Sequence, residues 1–211
     1  MRIALFADVH GNLPALELFL SEASSADQYI SLGDVVNYGP WSNECVSLIG
    51  TLPHVIRIRG NHEDYFLAGE YPGPNIIART FFEHCIRDFK EFGPISEYLP
   101  EGSFHGYRML HTIDNRIIFH DTEVDLTINT ILAHSHQQYT EERNGFRLIN
   151  PGSVGQNRAY INVINYMLWD VEADTFESRS LVYDADVLIN EMRSRKYPEI
   201  CIDYYKNKKR V

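Results

Sequence analysis

Three short apolar runs in the first third of the chain each lead into residues able to bind a metal ion, and the interval between them repeats. Ile3 to Ala7 is followed by Asp8 and His10, Tyr29 to Leu32 by Asp34, and Val55 to Ile58 by Asn61 and His62. Asp34 lies 26 residues after Asp8, and Asn61 lies 27 after Asp34, close to the ~30 residues of a strand-helix-strand unit. In an α/β sheet the carboxyl ends of parallel strands share one edge, so side chains just past them converge where ligands bind. Helix-like text fills the intervals. Leu13 to Ala23 carries Leu13, Leu16 and Phe19 or Leu20 at helical spacing with Pro14 in its first turn, and Ser42 is placed to cap a helix running to about Ile49 before Gly50 and Pro53.

From Ile76 to Phe92 the apolar stripe Phe81, Phe82, Cys85, Ile86 and Phe89 predicts one longer helix stopped by Gly93-Pro94. Beyond residue 100 strand-like runs dominate: Tyr107 to Leu110, Arg116 to Phe119, Ile128 to Ala133, Phe146 to Ile149, Ile161 to Trp169 and Phe176 to Val182. The segment from Asp184 to Arg210 reads as helical, interrupted by Pro198, with a basic end. Alternating strand and helix followed by a hairpin-rich half predicts layers packed around a core. With 211 residues and no Gly/Ser, Pro-rich or charged linker, the expectation is a single domain over 1–211 with a helical C-terminal extension from about 184.

Composition narrows the function classes. The 19 Lys+Arg against 29 Asp+Glu give a formal net charge of -10, which disfavours nucleic acid and anionic lipid as partners. No apolar run reaches the ~20 residues of a membrane helix. Cys45, Cys85 and Cys201 are odd in number and widely separated, which suits a reducing, cytoplasmic location and a packing role.

His111 and the pair His134 and His136 also follow apolar runs. Converged with the first group, they offer two carboxylates, an amide oxygen and several imidazoles without a thiolate, a donor set for hard-to-borderline ions such as Mn, Fe or Zn rather than for a zinc-thiolate knot. The donors outnumber the needs of one ion, and two ions sharing a carboxylate suit phosphoryl chemistry. His120, after Ile117-Ile118-Phe119, rivals His111. His54, His84 and His105 belong to no constellation.

Asp8-Val9-His10, Gly33-Asp34, Gly60-Asn61-His62-Glu63, His111 and His134-Ser135-His136 together resemble the calcineurin-like metallophosphoesterases, in order, spacing and strand context over about residues 1 to 155. Asp8-Val9-His10-Gly11-Asn12, the stretch Gly33 to Pro40, and Asn150-Pro151-Gly152-Ser153-Val154-Gly155 look like the small prokaryotic phosphodiesterase branch. The resemblance implies an α/β sandwich of two mixed β-sheets flanked by α-helices. It makes Asp8, His10 and His136 ligands of one metal and Asn61, His111 and His134 ligands of another, with Asp34 bridging. The ions would be divalent or trivalent (Mn, Fe, Zn or Ni, with Mn first in vitro). It further implies in-line attack on phosphorus by a hydroxide held between the ions, with His62 donating a proton or hydrogen bond to the leaving oxygen.

The chain departs from the family pattern at Ala133, where Gly usually precedes the paired histidines, and at Thr112, where Gly usually follows His111. Asn37-Tyr38 stands where protein Ser/Thr phosphatases carry Asp-Arg. Loss of that Arg favours a diester over a dianionic monoester. The expected function is therefore phosphodiester hydrolysis on a small, nucleotide-like substrate. Phosphomonoester hydrolysis, dinucleoside polyphosphate hydrolysis and a non-catalytic scaffold are the alternatives, and homo-oligomerisation is open. Asn150 to Gly155 is expected to buttress the metal edge. Arg158 is a candidate phosphate contact, Tyr38 and Trp41 candidates for a stacking wall, and Glu63 and Asp64 candidates for tuning His62 or capping the segment after it.

Overall fold

The computed structural model describes residues 1–211. Its first sheet contains β1 (Arg2–Phe6), β2 (Gln28–Ser31), β3 (Ile56–Arg57), β9 (Val163–Asp170) and β10 (Thr175–Val182), in the order β10-β9-β1-β2-β3. β1, β2 and β3 run parallel, joined by α1 (Leu13–Glu22) and α2 (Ser42–Gly50), while β9 pairs antiparallel with both β1 and β10. The second sheet contains β4 (Glu101–Phe104), β5 (Tyr107–Leu110), β6 (Asn129–Ile131), β7 (Gln138–Arg143) and β8 (Phe146–Pro151), ordered β4-β5-β6-β8-β7. Its three central strands are parallel and both edge strands antiparallel. The remaining helices are α3 (Asn61–Ala68), α4 (Ile76–Cys85), α5 (Phe92–Ser96), α6 (Ala185–Ser194) and α7 (Glu199–Lys206). None is long and apolar enough to cross a membrane.

Strand alternation explains how one sheet serves two cores. Along β1 and just beyond it, Ile3, Leu5 and Ala7 face Met109, Ile131 and Ile149 of the second sheet, whereas Ala4 and Phe6 face Leu16, Phe19 and the other helices. The helices thus cover the outer face of the first sheet. The outer face of the second is sealed by Leu110, Leu132 and Leu148 packed under Ile118 and Leu126 of the long 112–128 loop.

Arg116 to Phe119, expected as a strand, lies in that loop. Only Ile118 of its apolar triplet is fully buried, used as a plug rather than in a ladder. β4 and β7 were not anticipated, because Glu101 and the Thr140-Glu141-Glu142-Arg143 run place charge on sheet edges where solvent tolerates it. The helix expected over 76–92 ends at Cys85 and passes through a 3-10 turn (Ile86–Asp88). Gly93-Pro94 then opens α5 instead of stopping a helix, since a first-turn proline sacrifices no intrahelical bond. Ser42 does not cap α2; its hydroxyl accepts from the Asn37 N–H at 3.0 Å and so serves the Asp34 loop. Asn12, Asn75 and Asp184 do cap α1, α4 and α6.

Leu5 is fully buried between the sheets. Leu5→Ala is expected to lower unfolding stability by about 2–5 kcal/mol in urea denaturation, while Val182→Ala on the exposed outer strand should stay within about 0.5 kcal/mol of wild type.

Candidate metal centre

The polar residues after the parallel strands meet at one edge shared by both sheets. Asp8 and His10 follow β1, Asp34 follows β2, Asn61 and His62 open α3 after β3, His111 follows β5, and His134 and His136 follow β6. Asp8, His10, Asp34, His134 and His136 all adopt positive φ, between 49° and 65°. This region is sparsely populated by non-glycine residues and costs of order 1–3 kcal/mol each. Backbone bonds between the loops hold them there: Asp8 N–H donates to Gly33 O and His10 N–H to Asp34 O, both at 3.0 Å.

Two groups of donors result. In one, Asp8 Oδ1 is 3.5 Å from His136 Nε2 and 4.0 Å from His10 Nε2, and the two imidazole Nε2 atoms are 3.3 Å apart. In the other, His111 Nε2 is 3.1 Å from Asn61 Oδ1, from His134 Nδ1 and from Asp34 Oδ2. Asp34 Oδ2 also lies 4.0 Å from His10 Nε2 and from His62 Nε2, so this oxygen faces both groups. All seven residues expected as ligands are brought together, with His62 beside them. His120 is not among them; its carbonyl accepts from Arg143 in the outer loop.

The donor atoms fit cations. Both Asp8 carboxylate oxygens are buried without a hydrogen-bond partner, and burial together with the Asp34 charge pushes this carboxyl well above its usual range. His136 donates from Nδ1 to Gln156 O at 2.6 Å and His10 from Nδ1 to Val36 O at 3.3 Å. Backbone carbonyls only accept, so the neutral rings turn Nε2 lone pairs toward each other and toward Asp8. Burial holds His10 down to about 3 and His134 to about 4, with the His111 charge adding to the effect on His134. Neutral imidazole is the ligand form. His111 differs: burial opposes its protonation, but Asp34, Asp8 and the Leu32 carbonyl outweigh it and raise the ring to about 10. That position demands positive charge, from a proton or a metal ion. Asp8 with His10 and His136, Asp34 with His111 and His134, and His10 with Asp34 and His62 each bring three donors within ligand reach of one another.

His62 is buried, and burial lowers its pKa. Its Nδ1 is 2.9 Å from Asn37 Nδ2; with the amide donating, the ring proton sits on Nε2, the nitrogen facing Asp34. Tyr38 packs edge-on to His10 and His62, with centroids at 5.0 and 5.3 Å. The cavity above the donors, about 350 Å³, is lined by Tyr38, Tyr65, Tyr71 and Tyr204 along with Arg158 and Lys208. Trp41 stands outside it, under Arg195.

Two supports were less legible than the ligands. Glu63 is fully buried and accepts from Gly60 N at 2.8 Å, Asp34 N at 2.8 Å, Val35 N at 2.7 Å and Val36 N at 3.2 Å. It clamps the Asp34 loop to the start of α3. The available signal was Gly60-x-x-Glu63, the spacing of a capping box. The close approach it enforces needs Gly60, since a Cβ there would lie 2.2 Å from Asp34 Oδ1. Asn150 and Ser153 brace the other side: Asn150 Nδ2 donates to Ala133 O and Ser135 Oγ, and the Ser153 hydroxyl donates to Asp8 O. Gly155 presses on Val9 O, where a Cβ would fall at 1.8 Å.

A family model described as calcineurin-like phosphoesterase matches residues 1–187, beyond the stretch to about 155 that the motifs covered. Among curated proteins, the chain is 27% identical over 231 residues to the uncharacterized protein MJ0912 of Methanocaldococcus jannaschii, covering 93% of this chain and 94% of that one. Among solved structures, a metallophosphoesterase from Sphaerobacter thermophilus aligns with a TM-score of 0.78 at 23% identity over 98% of both chains. Protein PH1004 from Pyrococcus horikoshii OT3 aligns with 0.82 at 16% identity over 97% of both. These two structures show the same fold.

Glu63→Gln turns an amide NH₂ toward N–H donors that now meet a carboxylate. The variant is expected to lose about 3 kcal/mol of stability, measured by denaturant titration. Asp64→Asn, which removes only an exposed pair with Arg59, should change it by under about 1 kcal/mol.

Proposed function

The chain belongs to the calcineurin-like phosphoesterase family, and we propose that it is a two-metal phosphodiesterase acting on small, nucleotide-like phosphodiesters. The reading is carried by the position of Asp34 Oδ2, which faces two separate groups of nitrogen and oxygen donors on the floor of a cavity of small-ligand size. In this reading Asp8, His10 and His136 hold one ion, Asn61, His111 and His134 hold the other, and Asp34 is shared. Two such ions, when bound, supply Lewis-acid charge against the phosphoryl oxygens and a water of lowered pKa as nucleophile.

The chain's own groups do the rest. His62, neutral by burial and with its Nδ1 facing Asn37, offers the Nε2–H to the oxygen that leaves phosphorus. Asn37 carries no charge to stabilise an imidazolium, so the contribution is a hydrogen bond rather than full proton transfer. Tyr38 is held neutral by burial and places an uncharged ring on the cavity wall, where a guanidinium would otherwise grip a terminal dianion. That absence favours a diester, whose phosphoryl group carries one charge fewer. The fold is proposed as a single domain over 1–211, with the α6–α7 extension packed on the helical layer through Tyr205 and Cys201. The cytoplasmic location inferred from the unpaired cysteines belongs to the same proposal.

Protein stripped of metal and reloaded with Mn²⁺ is expected to hydrolyse bis(p-nitrophenyl) phosphate, and the stripped protein to be inactive. His62→Ala should retain its metal and lose roughly 10²–10³ in kcat. Metal binding without hydrolysis of any diester or monoester would overturn the enzymatic reading in favour of a scaffold. Asp34→Asn is expected to reduce metal content at both positions by elemental analysis; two ions per chain in that variant would overturn the shared-ligand assignment.

A further inference from the structure

Two cations face the candidate site from outside the ligand set, and neither has a role in the chemistry described so far. Arg158 leaves the buttressing loop and donates from Nε to Ser135 O at 2.7 Å, between the two histidines after β6. Its guanidinium carbon lies 5.9 Å from the Phe119 ring centre. Lys208, just past α7, is half-buried with Nζ 4.4 Å from the centre of the Tyr204 ring. Tyr204 in turn packs on Tyr38, centroid to centroid 5.9 Å, above His62. No carboxylate pairs with either cation, although the chain carries an excess of acidic side chains.

Both cations line the cavity over the metal ligands, and both also line a second opening of about 440 Å³ that continues outward past Asn207 and Lys209. Burial and the neighbouring Arg158 charge press the Lys208 ammonium down to about 8. Arg158 acts at a distance on the buried Asp8 carboxyl, and Asp34 lies on the cavity floor, but neither cation is directly paired, and the two like charges repel each other. An anion between them would relieve both the repulsion and the cost of burial.

We propose that Arg158 and Lys208 form an anion subsite for a second phosphoryl group, next to the one being cleaved, so that the substrates are nucleotides bearing a polyphosphate chain. This rests on the phosphodiesterase reading and narrows its substrate class. An internal phosphoryl group of such a chain is itself diester-like, with a single negative charge, in keeping with the uncharged Tyr38 beside Tyr204. Hydrolysis would form one P–O bond from water and break the bridging P–O bond. The leaving phosphate takes the electron pair and the water proton passes to it or to solvent. Tyr65 and Tyr71, edge-on to each other at 5.4 Å, line the same cavity and offer ring surface for a nucleobase.

The test compares ADP with AMP by isothermal titration calorimetry, Mn²⁺ being equal in cell and syringe, on the reloaded wild type, Lys208→Gln and Lys208→Arg. Wild type is expected to bind ADP about tenfold more tightly than AMP, the scale of one charge-assisted contact. Lys208→Gln should bring ADP to within about twofold of AMP while AMP stays near its wild-type value, and Lys208→Arg should restore the preference. Equal affinity of wild type for the two nucleotides overturns the subsite, as does an equal weakening of both by Lys208→Gln. Diester hydrolysis with no ADP preference leaves the phosphodiesterase reading standing and removes the subsite. A Lys208-dependent ADP preference in a protein that hydrolyses nothing upholds the subsite as a nucleotide-binding site and removes the enzymatic reading.

Discussion

Two buried carboxylates, Asp8 and Asp34, share one edge of the sandwich, and the surrounding structure is organised around their charge. Neither is neutralised by an arginine or lysine in contact; what surrounds them is imidazole. A buried carboxylate without a partner costs several kcal/mol, and Asp8 has no hydrogen bond to either oxygen. Such a cluster persists only if something holds it closed. The positive-φ loops, the Glu63 clamp on four amide N–H groups and the Ser153–Asp8 bond supply that constraint from both sheets.

The same constraint accounts for the pairing of the two halves of the chain. The first sheet alone presents Asp8, His10, Asp34, Asn61 and His62; the second alone presents His111, His134 and His136. His10, Asp34 and His62 of the first sheet form one donor group by themselves, but the other two are shared between the halves: Asp8 and His10 are completed by His136, and Asn61 and Asp34 by His111 and His134. The apolar contact of Leu5 and Ile30 with Met109, Ile131 and Ile149 therefore does more than bury surface. It sets the distance at which the two edges face each other, and a shift of about an ångström there would separate the groups.

Much of this was legible in the sequence, for a physical reason. The ligand candidates lie in loops immediately after short apolar strands, so side-chain type and strand position are read from one short stretch of chain, as in Asp8-Val9-His10 and Gly60-Asn61-His62. His111 and His120 were harder to separate, since both follow apolar runs; burial decides, His111 turning inward behind β5 while His120 sits on the loop that caps the second sheet. The helix expected through Phe92 failed because a periodic apolar stripe does not report a change from α to 3-10 geometry. The sequence offers Glu63 for tuning His62 or for capping the segment after it, whereas three of its four bonds reach the Asp34 loop, 27 to 29 residues earlier in the chain.

The C-terminal segment was least legible, and for the opposite reason. Lys208 and Tyr204 belong to no strand-end pattern, and the basic run around them reads as a solvated end. Their meaning depends on α7 packing against α4, where Tyr204 and Tyr205 meet Phe81. That contact turns the end of α7 toward the cavity over Asp34. Donor atoms on a sheet edge set the kind of reaction a site can perform, while the elements that roof it set what can enter. In this chain the roof includes Ile77 and Ala78 of α4 and Tyr204 and Lys208 of the extension, with Phe81 packed behind Tyr204. Under the proposed function, the Phe81–Tyr204 contact, which sets where Tyr204 stands on the cavity wall, would bear on what the cavity admits.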